Sequence, residues 1–161
     1  MIRRFGKLSA AAGFVGLLSS CLAADEQMRF HTFASDGWTR TESVALQVDS
    51  VARSGLYDLT LLLRTAADRL PTDENVYLVV RECGLQLVPP LEDTLCVALR
   101  TEQTQRGAGG VAYRAVEVPV GRLPLCKGAC GQLLVAHAMA TDSLVGISEL
   151  GYRLTPAEKR R

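Results

Sequence analysis

Residues 56–64, LYDLTLLLR, decide the fold because apolar side chains recur there at every second position. The residues that share this period are Tyr57, Leu59, Leu61 and Leu63. Successive side chains of an extended strand point to opposite faces, so this stretch predicts a strand with one buried face. Residues 44–48, VALQV, repeat the pattern just upstream. Strands with one buried and one solvated face are typical of antiparallel sheets.

Alternating runs of the same kind occupy most of the remaining chain. Turn signals such as Ser54-Gly55, Pro89-Pro90 and the glycine-rich residues 107–110 separate them. Further strands are predicted at residues 28–33, 75–82, 94–99, 115–120, 132–139 and 147–154. A series of about eight short strands with no convincing helix between them predicts an all-β antiparallel β-sandwich, jelly-roll-like, over residues 28–156.

The first 21 residues have the build of an export signal. The apolar run at residues 8–18 is about eleven residues long, whereas a membrane span needs roughly 20, and Arg3, Arg4 and Lys7 precede it. The run ends in Leu18-Ser19-Ser20-Cys21, which resembles the lipobox of bacterial lipoproteins, where the cysteine is acylated and the preceding peptide removed. We expect a signal peptide at 1–20, a lipid (palmitate) on Cys21 and a tether over 21–27. A plain signal peptide with a chance cysteine is the alternative.

Charge and hydropathy narrow the class of partner. Residues 1–20 hold three of the 18 basic residues and none of the 17 acidic ones, so residues 21–161 carry a formal charge of −2. That balance argues against nucleic acid, whose binding proteins show a basic stripe or patch. The concentrated positive charge lies in the short C-terminal tail, residues 157–161. No apolar run elsewhere in the chain is long enough to span a membrane either, so the expected membrane attachment is the lipid on Cys21.

Four cysteines remain: Cys83, Cys96, Cys126 and Cys130. They permit two interpretations, disulfides or a zinc site. An even number in an exported chain predicts disulfides, and of the three connectivities the most local one is preferred, 83 to 96 and 126 to 130. The spacing of 126 and 130 also resembles half of a zinc site. Structural zinc sites usually use two close ligand pairs, however, and twelve residues separate 83 from 96. We therefore predict no metal and no cofactor.

The sequence offers little for catalysis. The chain contains two histidines, His31 and His137, and no Gly-x-Ser-x-Gly motif. His137 is in phase with Leu133 and Val135, so we expect it to be a buried structural residue and the protein not to be an enzyme.

The second half of the chain resembles the gliding-motility lipoprotein family GldH. The resemblance lies in residues 136–154, AHAMATDSLVGISELGYRL, with Leu144, Gly146-Ile147 and Leu150-Gly151 after a methionine. Other pieces follow in the family's order: Trp38 before a strand, Arg64 at the end of the next, NVYL at 75–78, Asp93-Thr94, and a glycine-rich loop before Tyr113. The resemblance implies a lipid-anchored protein of a Gram-negative cell envelope. It would be a non-enzymatic component of gliding motility and the linked secretion machinery.

The expected role is a tethered interaction domain that binds other envelope or gliding-machinery proteins, with Trp38 and Arg64 as possible partner-surface residues. The alternative is a glycan-binding β-sandwich lipoprotein, in which Trp38 would form the sugar platform after its Ser-Asp-Gly turn. A tryptophan packed over one end of the sandwich is the other interpretation of Trp38.

Overall fold

The computed structural model describes residues 26–66, 74–99, 104–106 and 112–157. The predicted signal peptide, the lipidation site Cys21 and residues 158–161 lie outside these ranges. Within them the chain forms strands and no helix, so no described helix has the length and hydropathy of a membrane span. The strands are β1 Gln27–Thr32, β2 Trp38–Thr39, β3 Val44–Val48, β4 Gly55–Ala66, β5 Asn75–Cys83, β6 Glu92–Ala98, β7 Thr104–Arg106, β8 Ala112–Leu125, β9 Gly131–His137, β10 Ser143–Leu144 and β11 Ile147–Pro156.

Two antiparallel sheets make up the sandwich. The main sheet has the order β1-β11-β4-β8-β7, the small sheet has the order β3-β9-β5-β6, and β2 pairs with β10 in a separate ribbon. Without the three short strands β2, β7 and β10, each sheet contains four strands, and the chain passes between the sheets as in a jelly roll. The predicted antiparallel β-sandwich is therefore confirmed.

Alternating side chains fill the space between the sheets. Tyr57, Leu59 and Leu61 on β4 are almost fully buried, and Leu78 on β5 and Leu133 on β9 lie on the inner side of the small sheet. Tyr152 also lies in this core, and its hydroxyl donates a hydrogen bond to the carbonyl of Gln47, 2.7 Å away in the opposite sheet. Burial raises the pKa of Tyr152 to about 12, so the phenol stays neutral and keeps this inter-sheet bond.

Strand β8 is much longer than the predicted 115–120. It continues to Leu125 through Pro119 and Pro124 because, beyond the three residues that pair with β7, it is an edge strand, which tolerates proline. A register shift against β4 between Leu59 and Thr60 marks a β-bulge beside Gly121. Proline and glycine therefore do not end this strand as they would a central one.

The two ends of the sandwich are built differently. One end, called the basal end, carries the start of β1, the end of β11 and the loops at 49–54, 84–91 and 126–130. These loops are bonded to one another: Val51 N donates to Ala129 O at 3.1 Å, and Lys127 N donates to Ser54 Oγ at 2.8 Å. The opposite end, called the ribbon end, is closed by β2 and β10.

Candidate functional site

Arg64 lies on the outer face of the main sheet. Its Nη1 is 2.6 Å from Oε2 of Glu149, which stands opposite it on β11, and its guanidinium lies 4.2 Å from the ring centre of Phe30. About a third of the Arg64 side chain is exposed. The guanidinium is therefore held by an ion pair and a cation–π contact within its own sheet. It could contribute to a partner surface through its exposed edge.

Gly151 makes this arrangement possible. It lies opposite Phe30 in the pairing of β1 with β11. A Cβ atom at Gly151 would lie 2.5 Å from Phe30 Cδ1 and closer still to the carbonyl oxygen of Arg29. The absence of a side chain therefore lets the Phe30 ring lie flat on the sheet, where Arg64 covers it.

Two further ion pairs lie on the outer face of the main sheet. Arg153 donates from Nη1 and Nη2 to the two carboxylate oxygens of Glu117, at 3.1 and 2.5 Å. Arg122 Nε is 2.7 Å from Asp58 Oδ1. The hydrogen bond to Glu117 raises the pKa of Arg153. Because these charges satisfy one another across neighbouring strands, this face presents a solvated lattice of ion pairs rather than a single-sign patch.

The outer face of the small sheet has a different character. The outward residues in its middle are small or apolar: Leu134 and Ala136 on β9, and Thr94 and Cys96 on β6. Tyr77 on β5 is exposed among them. The ion pair between Arg81 and Glu92, at 2.9 Å, lies at one side. This surface, called the small-sheet face, comprises Tyr77, Val79, Thr94, Cys96, Leu134 and Ala136.

Such a surface has the composition of an interface core, which is poor in charge and enriched in aromatic residues such as tyrosine. Sequence reasoning did not single it out. The available signal was that β5 and β9 lack regular polar alternation: residues 76–80, VYLVV, and 133–136, LLVA, are apolar at outward as well as inward positions.

Trp38 does not form part of any surface. Its side chain is 0% exposed, it stacks on Phe33 with ring centres 4.8 Å apart, and its Nε1 donates to the carbonyl of Glu42 at 3.0 Å. The interpretation of Trp38 as a residue packed over one end of the sandwich is therefore confirmed, and its alternative roles as a partner-surface residue or a sugar platform are wrong. The turn before it does not leave it in solvent, because the β2–β10 ribbon carries it over the end of the core.

His137 is buried, as its phase along β9 predicts. One ring nitrogen, Nε2, is 3.1 Å from the carbonyl oxygen of Trp38, and the other, Nδ1, is 3.4 Å from the amide nitrogen of Met139. The first contact needs a donor and the second an acceptor, which is the pattern of a neutral imidazole. Burial lowers the pKa of His137, and nearby Arg40 lowers it further, so the ring is a structural neutral group.

The two histidines of the chain stand at either end of one series of rings. His31 meets Phe33 edge to face at 4.9 Å, Phe33 stacks on Trp38, and Trp38 meets His137 at 5.3 Å. His31 Nε2 is also 3.5 Å from Glu42 Oε1. This arrangement closes the ribbon end. In the ranges the structure describes, no three His, Cys, Asp or Glu side chains are grouped to hold a metal ion.

The predicted Cys83–Cys96 bridge is wrong. Strands β5 and β6 are antiparallel neighbours as expected, but their register places Cys96 opposite Tyr77, while Cys83 lies opposite Gln132 on β9. The six residue steps from position 77 to position 83 span about 20 Å of strand, far beyond the reach of a disulfide. Cys126 and Cys130 flank a tight turn, and the predicted 126–130 bridge is also wrong, since all four described thiols are free and exposed.

Comparisons with known proteins add little. No family model and no curated protein matches the chain. Among solved structures, the chain is similar to the Eiger TNF from S. frugiperda, with 12% sequence identity, 83% of this chain and 88% of that chain covered, and a TM-score of 0.35. At that TM-score the likeness carries no argument about fold or function. The assignment of the fold therefore rests on the strand topology. Any function has to be inferred from the outer faces of the two sheets.

Proposed function

We propose that this protein is a lipid-anchored, non-enzymatic component of the cell envelope, resembling GldH, whose sandwich acts as a tethered interaction domain. The observation that carries this proposal is the exposed small-sheet face, with Tyr77 at 46% exposure among small and apolar neighbours. The proposed anchor is a lipid on Cys21, followed by a short tether into β1. The proposed partners are proteins of the gliding machinery and the secretion system linked to it.

The small-sheet face suits a protein partner for a physical reason. Short side chains such as Ala136, Thr94 and Cys96 leave a flat surface that another protein can approach closely, and few charged groups would have to be desolvated. Tyr77 can supply a large rigid contact and a polar hydroxyl at little conformational entropy. The main sheet offers a poorer surface, since its charges are already satisfied by one another.

The partner surface can be tested by site-specific crosslinking in intact cells. A photoreactive phenylalanine analogue replaces Tyr77 in one strain and Met28 in a control strain. Met28 is exposed to a similar extent, 43%, but lies on β1 in the main sheet. We expect protein crosslinks from position 77 and few from position 28. Crosslinks from position 28 alone would show that the wrong face has been chosen.

The anchor is tested separately through Cys21. The variant Cys21→Ser should lose fatty-acid labelling and accumulate as an unprocessed or soluble product, because the acyl acceptor is gone. Ser20→Ala serves as the control, since it keeps a small residue before the cysteine and should still be labelled. Continued labelling and membrane fractionation of Cys21→Ser would refute the lipoprotein assignment.

Glycan binding is the second candidate function, and the exposed ring of Tyr77 is the observation that favours it. A sugar platform usually presents an aromatic face to solvent, and the other described aromatic side chains are buried or partly covered. Calorimetry with envelope glycans would decide: binding abolished by Tyr77→Ala, without any protein crosslink, would favour the glycan over the protein partner.

A further inference from the structure

The loop between β5 and β6, residues 84–91, has two opposite characters. Leu85 and Leu87 are 3% and 7% exposed and close the core at the basal end. Val88, the next residue, is 90% exposed, the highest value among the large hydrophobic side chains described. An apolar residue displayed so fully at a loop tip, beside residues that fold inward, suggests a contact surface rather than part of the core.

The two residues that follow Val88 also suit an apolar environment. Pro89 and Pro90 have no backbone N–H, so the tip of this loop presents few donors that would need a hydrogen-bond partner. Burying an amide without such a partner is unfavourable, and a segment with fewer amides enters a headgroup region more readily. The tip can therefore leave water with little penalty.

The tip lies at the end of the sandwich from which the N-terminal tether departs. Gln27, the first residue of β1, bonds through its side chain to the backbone of Asp49 at the basal end. The chain segment 21–26 can span at most roughly 20 Å. If Cys21 carries the lipid, the basal end is held within that distance of the bilayer, and the ribbon end points away.

Charged groups at the basal end are mixed. Arg53 and Lys127 are exposed there, and the amide of Ala157 donates to the carbonyl of Leu56 at the same end. Glu26 and Glu82 offset them. Attraction to anionic lipid is therefore modest, and the apolar tip is the feature that distinguishes this end.

We propose that the basal end seats on the bilayer surface, with Val88 inserted among the lipid headgroups. This inference rests on the proposed lipid anchor. Contact through the loop would add a second attachment beside the acyl chains and would fix the sandwich upright. The small-sheet face would then stand perpendicular to the bilayer and face sideways rather than against the lipid.

The test uses the full lipidated protein in vesicles that contain a phospholipid brominated on its acyl chains, which quenches nearby tryptophan. Val88→Trp places a reporter at the loop tip, and Val145→Trp is the matched control, since Val145 is 48% exposed at the ribbon end. Trp38, the single native tryptophan, is fully buried and gives a constant background in both variants. We expect the added emission to be strongly quenched and blue-shifted for position 88 and unchanged for position 145.

Mass spectrometry of the same preparations separates the two ideas. If Cys21 is acylated and the emission from position 88 is not quenched more than that from position 145, the seating proposal is overturned while the proposed function stands. If no acyl chain is found on Cys21, the lipid-anchor part of the proposed function fails by itself. Equal quenching at both positions would mean that the domain lies flat on the bilayer, which also overturns the proposal.

Discussion

At the scale of single residues, His137 shows how the fold fixes a protonation state. Its two ring nitrogens are used by a carbonyl acceptor, Trp38 O, and an amide donor, Met139 N–H. A second proton on the ring would face the Met139 amide, donor against donor, inside a site that is 4% exposed. Nearby charge opposes protonation as well, because Arg40 lies close enough to act on the ring.

This gives a prediction about acid stability. The pKa of His137 is lowered in the folded protein, so below about pH 6.5 the unfolded chain binds a proton that the folded one rejects, and stability falls by up to about 1.4 kcal/mol per pH unit. Above that pH, His137 is neutral in both the folded and the unfolded chain and should no longer affect the free energy of unfolding. His137→Gln should remove most of this fall, measured by urea unfolding between about pH 7.5 and about pH 5.5 with Trp38 emission as the signal. The control His31→Gln should retain it; an unchanged pH dependence in His137→Gln would contradict the assignment.

How far the sequence predicts such residues depends on how local their surroundings are. The burial of His137 follows from its phase with Leu133 and Val135 along one strand. The burial of Trp38 does not follow from its neighbours, because it depends on the pairing of β2 with β10, whose residues lie more than a hundred positions further along the chain. The turn predicted before Trp38 is present, but the pairing of β2 with β10 determines that the Trp38 side chain is buried.

At the scale of elements, the pairing of β1 with β11 depends on Gly151. Gly151→Ala should push Phe30 and the Arg29 carbonyl away, and overpacking of this kind typically costs about 1–3 kcal/mol of unfolding free energy. Gly55→Ala is the matched control, since a Cβ there meets nothing within 4 Å. Chemical denaturation of both variants provides the measurement. Equal stability of the two would show that β1 adjusts freely.

The ion pairs between strands should differ in strength. Arg64 is about one-third exposed, bonds to Glu149 and covers Phe30, whereas Arg81 and Glu92 are both more than half exposed. We expect Arg64→Ala to lower the unfolding free energy by about 1–2 kcal/mol through lost pairing and packing, and Arg81→Ala by less than about 0.5 kcal/mol. A larger effect at Arg81 would contradict this ranking.

Strand neighbours were easier to predict than strand register. The preferred 83–96 bridge requires the strands at 75–82 and 94–99 to be antiparallel neighbours, and β5 and β6 do pair in this way. The register was wrong because the loop from 84 to 91 folds Leu85 and Leu87 back over the core, and the strands resume pairing only at Arg81 opposite Glu92. A pattern of alternating residues identifies the buried face of a strand but not its alignment, which the loop's own packing determined here.

At the scale of the whole molecule, the jelly roll stands on its core without crosslinks. All four described thiols are free and exposed, so a thiol reagent should modify all of them in the native protein without denaturant. Cys83→Ala combined with Cys96→Ala should leave the melting temperature essentially unchanged. Peptide mapping that recovered an 83–96 disulfide would show that the register is different from the one described.

The fold class was predictable, because many one-sided strands with no helix between them are typical of an antiparallel β-sandwich. Which outer face would serve the proposed partner was not predictable from single motifs. Arg64, which the resemblance suggested as a partner-surface residue, is paired with Glu149 within its own sheet. The small-sheet face could not be recognised from any one segment, because its residues come from three strands, β5, β6 and β9, that are brought together by the sheet.

The direction of β1 has a mechanical consequence. This strand begins at the basal end and runs antiparallel to β11 along six paired residues, from Gln27 opposite Leu154 to Thr32 opposite Glu149. A pull on the chain before Gln27, directed away from the body, acts along the strand and nearly perpendicular to its hydrogen bonds. The bonds are then loaded together in shear instead of being peeled one after another. If the lipid proposed on Cys21 anchors the chain, this attachment would therefore resist sustained force.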